Sequence, residues 1–97
     1  MGSLFGKKEQ VRCSHILVKT REEADTLAGK LGEGADFARL AREHSQCPSG
    51  KQGGDLGSFG RGQMVREFEA TAFRLEPGQT SEPVKTKFGY HLIRRTG

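Results

Sequence analysis

The spacing of apolar residues changes along the chain, and each change marks an element. Residues 11–19, Val-Arg-Cys-Ser-His-Ile-Leu-Val-Lys, are rich in β-formers and too short for a helix of ordinary length, which predicts a strand. Alternation sets Cys13, His15 and Leu17 on one face and Ile16 and Val18 on the other. Apolar residues on both faces predict a central strand. Thr20-Arg21-Glu22-Glu23 has the form of a capping box, and Ala24, Leu27, Ala28 and Leu31 then recur at helical spacing. Gly32 and Gly34 end that helix. Asp36 caps a second, whose stripe is Phe37, Leu40, Ala41 and His44.

Residues 45–62 hold six glycines and one proline, so they read as loop, with a helical turn near Pro48 and a short strand around Leu56–Phe59. A glycine-rich excursion of that length costs chain entropy in a small domain, and such loops often carry function. A third helix is expected from about Arg66 to Arg74, with Val65, Phe68, Ala72 and Leu75 inward. Pro77-Gly78 signals a type II turn. Two strands follow, near Ser81–Val84 and Tyr90–Arg95, joined by a turn at Lys87–Gly89. In the last, Gly89, His91 and Ile93 share one face and Tyr90, Leu92 and Arg94 the other. Strand, two helices, short strand, helix and two strands predict an α+β domain on a small sheet.

Composition bounds this picture. With 97 residues, 33% of them hydrophobic and no Trp, the chain is expected to form one domain with a modest core. No apolar run approaches the roughly 18 residues of a membrane helix. Met1 to Gln10 carries Lys7 and Lys8 but no apolar stretch, so it does not read as a secretory signal. Residues 1–9 are expected to be a disordered segment and 10–97 the folded domain. Two cysteines are too few for a disulfide scaffold, which favours a reducing, cytoplasmic setting. The net charge of +4 is spread along the chain. It permits weak, salt-sensitive contact with polyanions, for which Lys85, Lys87, Arg94 and Arg95 are the best candidates.

The candidate chemistry begins with His15 and His91, each in the middle of a predicted strand. One such histidine is most simply a core residue; two in one small sheet point to a site. Cys13, His15, Cys47 and His91 are zinc-ligand types, but no C-x2-C or H-x3–5-H pair is present, so no metal is expected. Cys47 with His15 or His91 as base is the alternative of a nucleophilic pair. Gly50-Lys51 is followed by Gln52, so a phosphate-binding P-loop is excluded. Leu56, Phe59, Met64 and Phe68 flank turns or open the third helix, and Met and Phe suit contact with a proline ring.

The blocks Cys13–Lys19, Asp36–Ala41, Gly54–Gly57, Arg61–Met64 and Phe88–Ile93 together resemble the parvulin peptidyl-prolyl isomerases over roughly residues 11–96. The resemblance implies a four-stranded antiparallel sheet wrapped by helices, acting without a cofactor on proline-containing polypeptides as a monomeric folding helper. It implies that His15 and His91 are the paired core histidines, that Cys47 is the active-site cysteine, and that Thr86 extends the histidine network. Leu56, Met64 and Phe68 correspond to the proline pocket. Two departures accompany it. The connection after the first strand is only Lys19-Thr20-Arg21, too short for the arginine-bearing loop of phospho-specific members, and Gln46 stands where many relatives have Asp. The rival readings are a binding module without turnover and a nucleic-acid or ribosome contact through the basic residues.

Overall fold

The computed structural model describes residues 9–97. Strand β1 (Gln10–Val18) leads to helices α1 (Arg21–Gly32) and α2 (Phe37–His44), a 3₁₀ helix (Pro48–Gln52) and β2 (Asp55–Gly60). Helix α3 (Arg66–Arg74), β3 (Val84–Thr86) and β4 (Gly89–Arg95) follow. The four strands form one antiparallel sheet in the order β2-β1-β4-β3. The predicted α+β class and the interior position of β1 are both found. Of the segment set apart from the fold, residues 1–8 lie outside the described residues. Glu9 is described, and its carboxylate pairs with Arg61 at 3.1 Å.

The period-two alternation of β1 and β4 divides the core between the two sheet faces. Ile16, Val18 and Leu92 pack against Ala24 and Leu27 of α1 and Phe37, Leu40 and Ala41 of α2. On the other face Val11, Cys13, Phe59 and Ile93 pack against Phe68 and Ala72 of α3. Each helix of the first layer begins where a short polar side chain accepts an otherwise orphaned amide. Thr20 Oγ1 takes the Glu23 N–H at 3.1 Å, and Asp36 Oδ2 takes the Arg39 N–H at 2.9 Å. His44 closes the α2 stripe only partly, being half-buried at the helix end.

Glu76-Pro77-Gly78-Gln79 forms the expected turn, with Gly78 at φ +92° and the Gln79 N–H on the Glu76 carbonyl at 3.0 Å. The third strand, however, is not Ser81–Val84 but Val84–Thr86. Pro83 has no N–H to give a ladder. Before it the chain meets β4 irregularly: the Gly78 and Ser81 N–H groups donate to the Arg95 and Ile93 carbonyls at 2.6 and 2.7 Å, the Arg95 N–H donates to the Gln79 carbonyl at 3.0 Å, and Thr80 and Arg94 form an isolated bridge. The shift matters because it puts Thr86 on the sheet, where it is buried, rather than between the expected strand and turn.

β1 and β2 change register between Arg12 and Ser14, beside Gly54. Gly54 sits at φ +87°, its carbonyl accepts the His15 N–H at 2.9 Å, and a Cβ there would run into the His15 carbonyl oxygen. Gly57 shares a positive φ of +72° but faces open space. Gly54→Ala is therefore expected to lower the unfolding free energy by about 3 kcal/mol or more, and Gly57→Ala by about 1 kcal/mol, in urea titrations. Equal losses would show that backbone strain alone, without the close approach to β1, sets the cost.

Candidate active site

Register brings the two histidines together. His15 lies opposite Ile93 and Leu17 opposite His91, so His15 and His91 are diagonal neighbours on the α3 face of adjacent strands. Both are buried, 5% and 4% exposed, and their Nδ1 atoms are 2.9 Å apart. His91 Nε2 is 2.8 Å from Thr86 Oγ1, which also accepts the Phe88 N–H at 3.1 Å. Above them Phe68 of α3 sets its ring edge-on to both imidazoles, with centroids 5.5 and 5.3 Å away. His15 Nε2 is buried without a partner.

Burial among apolar groups disfavours the imidazolium, and holds both rings near pKa 4; for His15 the neighbouring His91 adds to the effect. At neutral pH each ring therefore carries one N–H. The chain Thr86–His91–His15 admits two proton placements. Either the Thr86 hydroxyl donates to His91 Nε2 and His91 Nδ1–H donates to His15, or both bonds run the other way.

This pair forms the floor of a cleft of about 480 Å³. Leu56 of β2, with Met64 and Phe68 at the entry to α3, makes one wall; Cys47 and Pro48 make another. The second wall is tied to β1 through Ser45 Oγ, which accepts the N–H groups of Leu17 at 3.1 Å and Cys47 at 3.3 Å. The Gln46 N–H adds a bond to the Leu17 carbonyl at 2.7 Å. The loop of residues 61–65 is held as well. The Gly62 N–H donates to Glu69 at 2.6 Å, and the Arg61 guanidinium lies 4.2 Å over the Phe73 ring. A rigid frame thus presents the apolar side chains.

The seven residues that the resemblance assigns to the site — His15, Cys47, Leu56, Met64, Phe68, Thr86 and His91 — belong to this cleft or to the hydrogen-bond chain beneath it. Phe59 does not line it; it is 3% exposed and packs on Phe68 and Phe73 in the core. Leu17, Val65 and Phe88 line the cleft without having been singled out. Alternation carried the signal for Leu17, which shares the His15 face, whereas Phe88 lies in a turn with no periodicity to mark it. The four histidine nitrogens face each other, Thr86 or the buried interior, so neither ring serves as a base hydrogen-bonded to Cys47. Among the described residues no group of Cys, His, Asp and Glu is arranged to hold a metal ion.

Of the basic residues near the C-terminus, the neighbours Arg94 and Arg95 point to opposite faces of β4. Arg94 donates to Thr80 Oγ1 at 2.9 Å and stacks 4.9 Å from the Phe37 ring centroid. Arg95 donates to the carbonyls of Leu75 and Gly97 at 2.7 and 2.9 Å.

A buried imidazole pair under an apolar, uncharged cleft on a four-stranded antiparallel sheet is the arrangement that the parvulin resemblance implies. The chain belongs to the family described as Rotamase: PPIC-type PPIASE domain, whose model matches residues 13–97. It is 53% identical to the foldase protein PrsA of Geobacillus sp. (strain WCH70) over 90 residues, 92% of this chain and 33% of that protein. The crystal structure of the peptidylprolyl isomerase PrsA from Bacillus anthracis superposes with a TM-score of 0.91 at 46% identity, covering 93% of this chain and 42% of that one. NmPin, the parvuline of Nitrosopumilus maritimus, matches with a TM-score of 0.83 at 46% identity over 95% of this chain and 100% of its own. The chain thus spans about a third of the length of the curated PrsA relatives and the whole of a single-domain one.

Proposed function

We propose that this domain accelerates cis/trans rotation about X–Pro bonds in flexible or unfolded polypeptide segments, by a non-covalent mechanism, as a folding helper. The observation that carries this reading is the cleft itself: Leu56, Met64 and Phe68 form a ring-sized apolar wall beside two neutral, mutually bonded histidines. Uncatalysed rotation faces about 18–20 kcal/mol because it breaks the resonance of the planar imide. That resonance gives the planar form its large dipole, which water solvates; the twisted form has lost it. A cleft lined by no side chain with a formal charge at neutral pH strips that solvation from the planar forms and leaves the twisted one comparatively favoured. Each 1.4 kcal/mol of such difference is tenfold in rate. The neutrality of His15 and His91 belongs to this design, since an imidazolium would favour the dipolar planar forms. The experiment is exchange NMR on an Ala-Pro peptide: cross-peaks between cis and trans resonances should appear at catalytic protein concentrations, and their absence would leave a binding module.

The same reading assigns Cys47 a place in the wall and no covalent step. Cys47→Ser is expected to keep at least about a tenth of wild-type turnover, and mass spectrometry should find no substrate adduct at Cys47. A stable thioester-type adduct would contradict it.

Specificity for phosphate before proline has no support in the geometry. Arg21 is engaged with Asp25 at 3.7 Å, Arg61 with Glu9 and Glu69, and Lys19 and Lys51 are exposed. Lone exposed cations contribute roughly 0–1 kcal/mol each. Matched Ser-Pro and phospho-Ser-Pro peptides are therefore expected to differ by less than about tenfold. A hundredfold preference for the phosphopeptide would require cations converging on the cleft.

We further propose a monomer in a reducing, cytoplasmic compartment. Both cysteines are free, and burial pushes the Cys13 thiol up to about 11, where it is inert. Subcellular fractionation and light scattering test the two parts separately.

A further inference from the structure

The joint between β2 and α3 carries Met64, and it lacks the device that opens the other two α-helices. Thr20 and Asp36 cap α1 and α2 with side-chain oxygens, but the residue before α3 is Val65, whose side chain accepts no hydrogen bond. Earlier in the same connection stands Gly62, at φ +87° and with open space where a Cβ would lie. A connection over residues 61–65 with a glycine and no cap has little of its own to fix where Met64 points.

Glu69 supplies what the cap does not. From the first turn of α3 it reaches back seven residues, and its Oε1 accepts the Gly62 N–H at 2.6 Å. That bond is charge-assisted, and the Glu69 side chain is only 21% exposed. Arg61 also joins the loop to α3, 4.2 Å from the Phe73 ring centroid and 3.7 Å from Glu69 Oε2. Its side chain is 56% exposed, and contacts of that kind contribute little. Gln63 Oε1 takes the Gly60 N–H at 2.7 Å, which tightens the end of β2 rather than joining the loop to the helix. Glu69 itself does not line the cleft, so it can act on the site only through the loop.

We infer that Glu69 is a positioning residue for the isomerase site: by holding the Gly62 N–H it keeps the 61–65 loop in the arrangement that presents Met64 to the proline ring. The inference rests on the isomerase reading above. Without the tether that arrangement is one of several that the loop samples, and the apparent affinity for every X–Pro segment falls by the fraction of time it is formed. Saturating substrate re-forms the wall, so KM rises and kcat stays. A purely stabilising role has another signature. It leaves turnover unchanged or, where folding becomes incomplete, lowers kcat at unchanged KM. Glu67 shares the first turn of α3, is exposed and does not line the cleft, so it isolates what any carboxylate there gives to the helix dipole.

The test is exchange NMR with titrated Ala-Pro and Leu-Pro peptides on wild type, Glu69→Ala, Glu69→Gln, Glu67→Ala, Met64→Ala and the double variant Met64→Ala, Glu69→Ala. Glu69→Ala should raise KM by at least about fivefold on both peptides, with kcat within about twofold of wild type. Glu69→Gln keeps an acceptor at the same reach and should recover most of the loss, and Glu67→Ala should match wild type. Because Glu69 acts through Met64, its removal should cost less than about twofold more in the Met64→Ala background. The Gly62 amide proton should resonate downfield in wild type and move upfield in Glu69→Ala, with ¹⁵N relaxation changing from that of β2 to that of a mobile loop. An unchanged KM in Glu69→Ala, an equal effect of Glu67→Ala, or losses that multiply in the double variant would each overturn the positioning role while leaving the isomerase standing. A Gly62–Met64 segment already mobile in wild type would do so even if Glu69→Ala did not fold. Absence of turnover by wild type on both peptides would overturn the isomerase reading, and the positioning role with it.

Discussion

Met64→Ala should lower the isomerase efficiency on any X–Pro peptide by at least about tenfold while the domain stays folded. Met64 is half-buried, in the short segment between β2 and α3, and its side chain faces the cleft. Its thioether is expected to cover the proline ring, and a loss of about 1.4 kcal/mol in transition-state contact gives the tenfold. Phe68→Ala should lower turnover further, for a mixed reason. Phe68 is 3% exposed and touches both histidine rings and Phe59, so truncation removes the lid of the imidazole pair as well as the pocket wall. A buried Phe→Ala costs about 3–5 kcal/mol of stability, a large share of what a small domain holds. Met64→Ala is thus the cleaner variant. Activity should be read beside a urea titration of the same sample: folded Met64→Ala with wild-type turnover would remove this wall from the site.

How far the site was legible follows from how each part is specified. Strand alternation is local, so the common face of Cys13, His15 and Leu17, and of His91 and Ile93, could be read from the chain. Their meeting could not, because the diagonal of His15 and His91 depends on the register of β1 against β4, strands separated in the chain by three α-helices, the 3₁₀ helix, β2 and β3. The roles of Thr86 and Cys47 came from resemblance alone. Local pattern misplaces the strand that holds Thr86: the expected Ser81–Val84 contains Pro83, which has no N–H for the ladder, and the strand is Val84–Thr86. Phe88 and the pairing of Arg94 and Arg95 with Thr80, Leu75 and Gly97 are tertiary facts with no periodic signature. Gly54 is similar: its positive φ is a common property of loop glycines, but the approach to the His15 carbonyl appears only once β2 is docked.

Stability should fall steeply as pH is lowered from about 6.5 toward 4, and the histidine pair is the reason. In the unfolded chain each ring has the ordinary value near 6.5, while in the folded domain burial lowers both to about 4. Between those values the unfolded state binds more protons, so unfolding becomes easier with each step down in pH. The contribution is fully present above about pH 6.5 and levels off below about pH 4. One ring's difference corresponds to about 3 kcal/mol, comparable with the whole margin of a marginal domain. Carboxylates act in a different window. Asp55, whose value is lowered by its hydrogen bond to Arg12, contributes stability that is lost as pH falls through and below the usual Asp range near 3.9. Urea titrations at pH 7.5, 6, 5 and 4.5 measure the slope, and ring ¹⁵N shifts report the charge directly. His15 and His91 should remain neutral in the folded protein down to about pH 5, with turnover nearly constant over the same range. A double His15→Asn, His91→Asn variant, if folded at pH 7.5, should lose most of the slope between pH 6.5 and 4.5. Imidazolium shifts for either ring at pH 6, or a stability independent of pH across this window, would show that the cleft floor is charged and that dehydration over a neutral pair is not how the site favours the twisted bond.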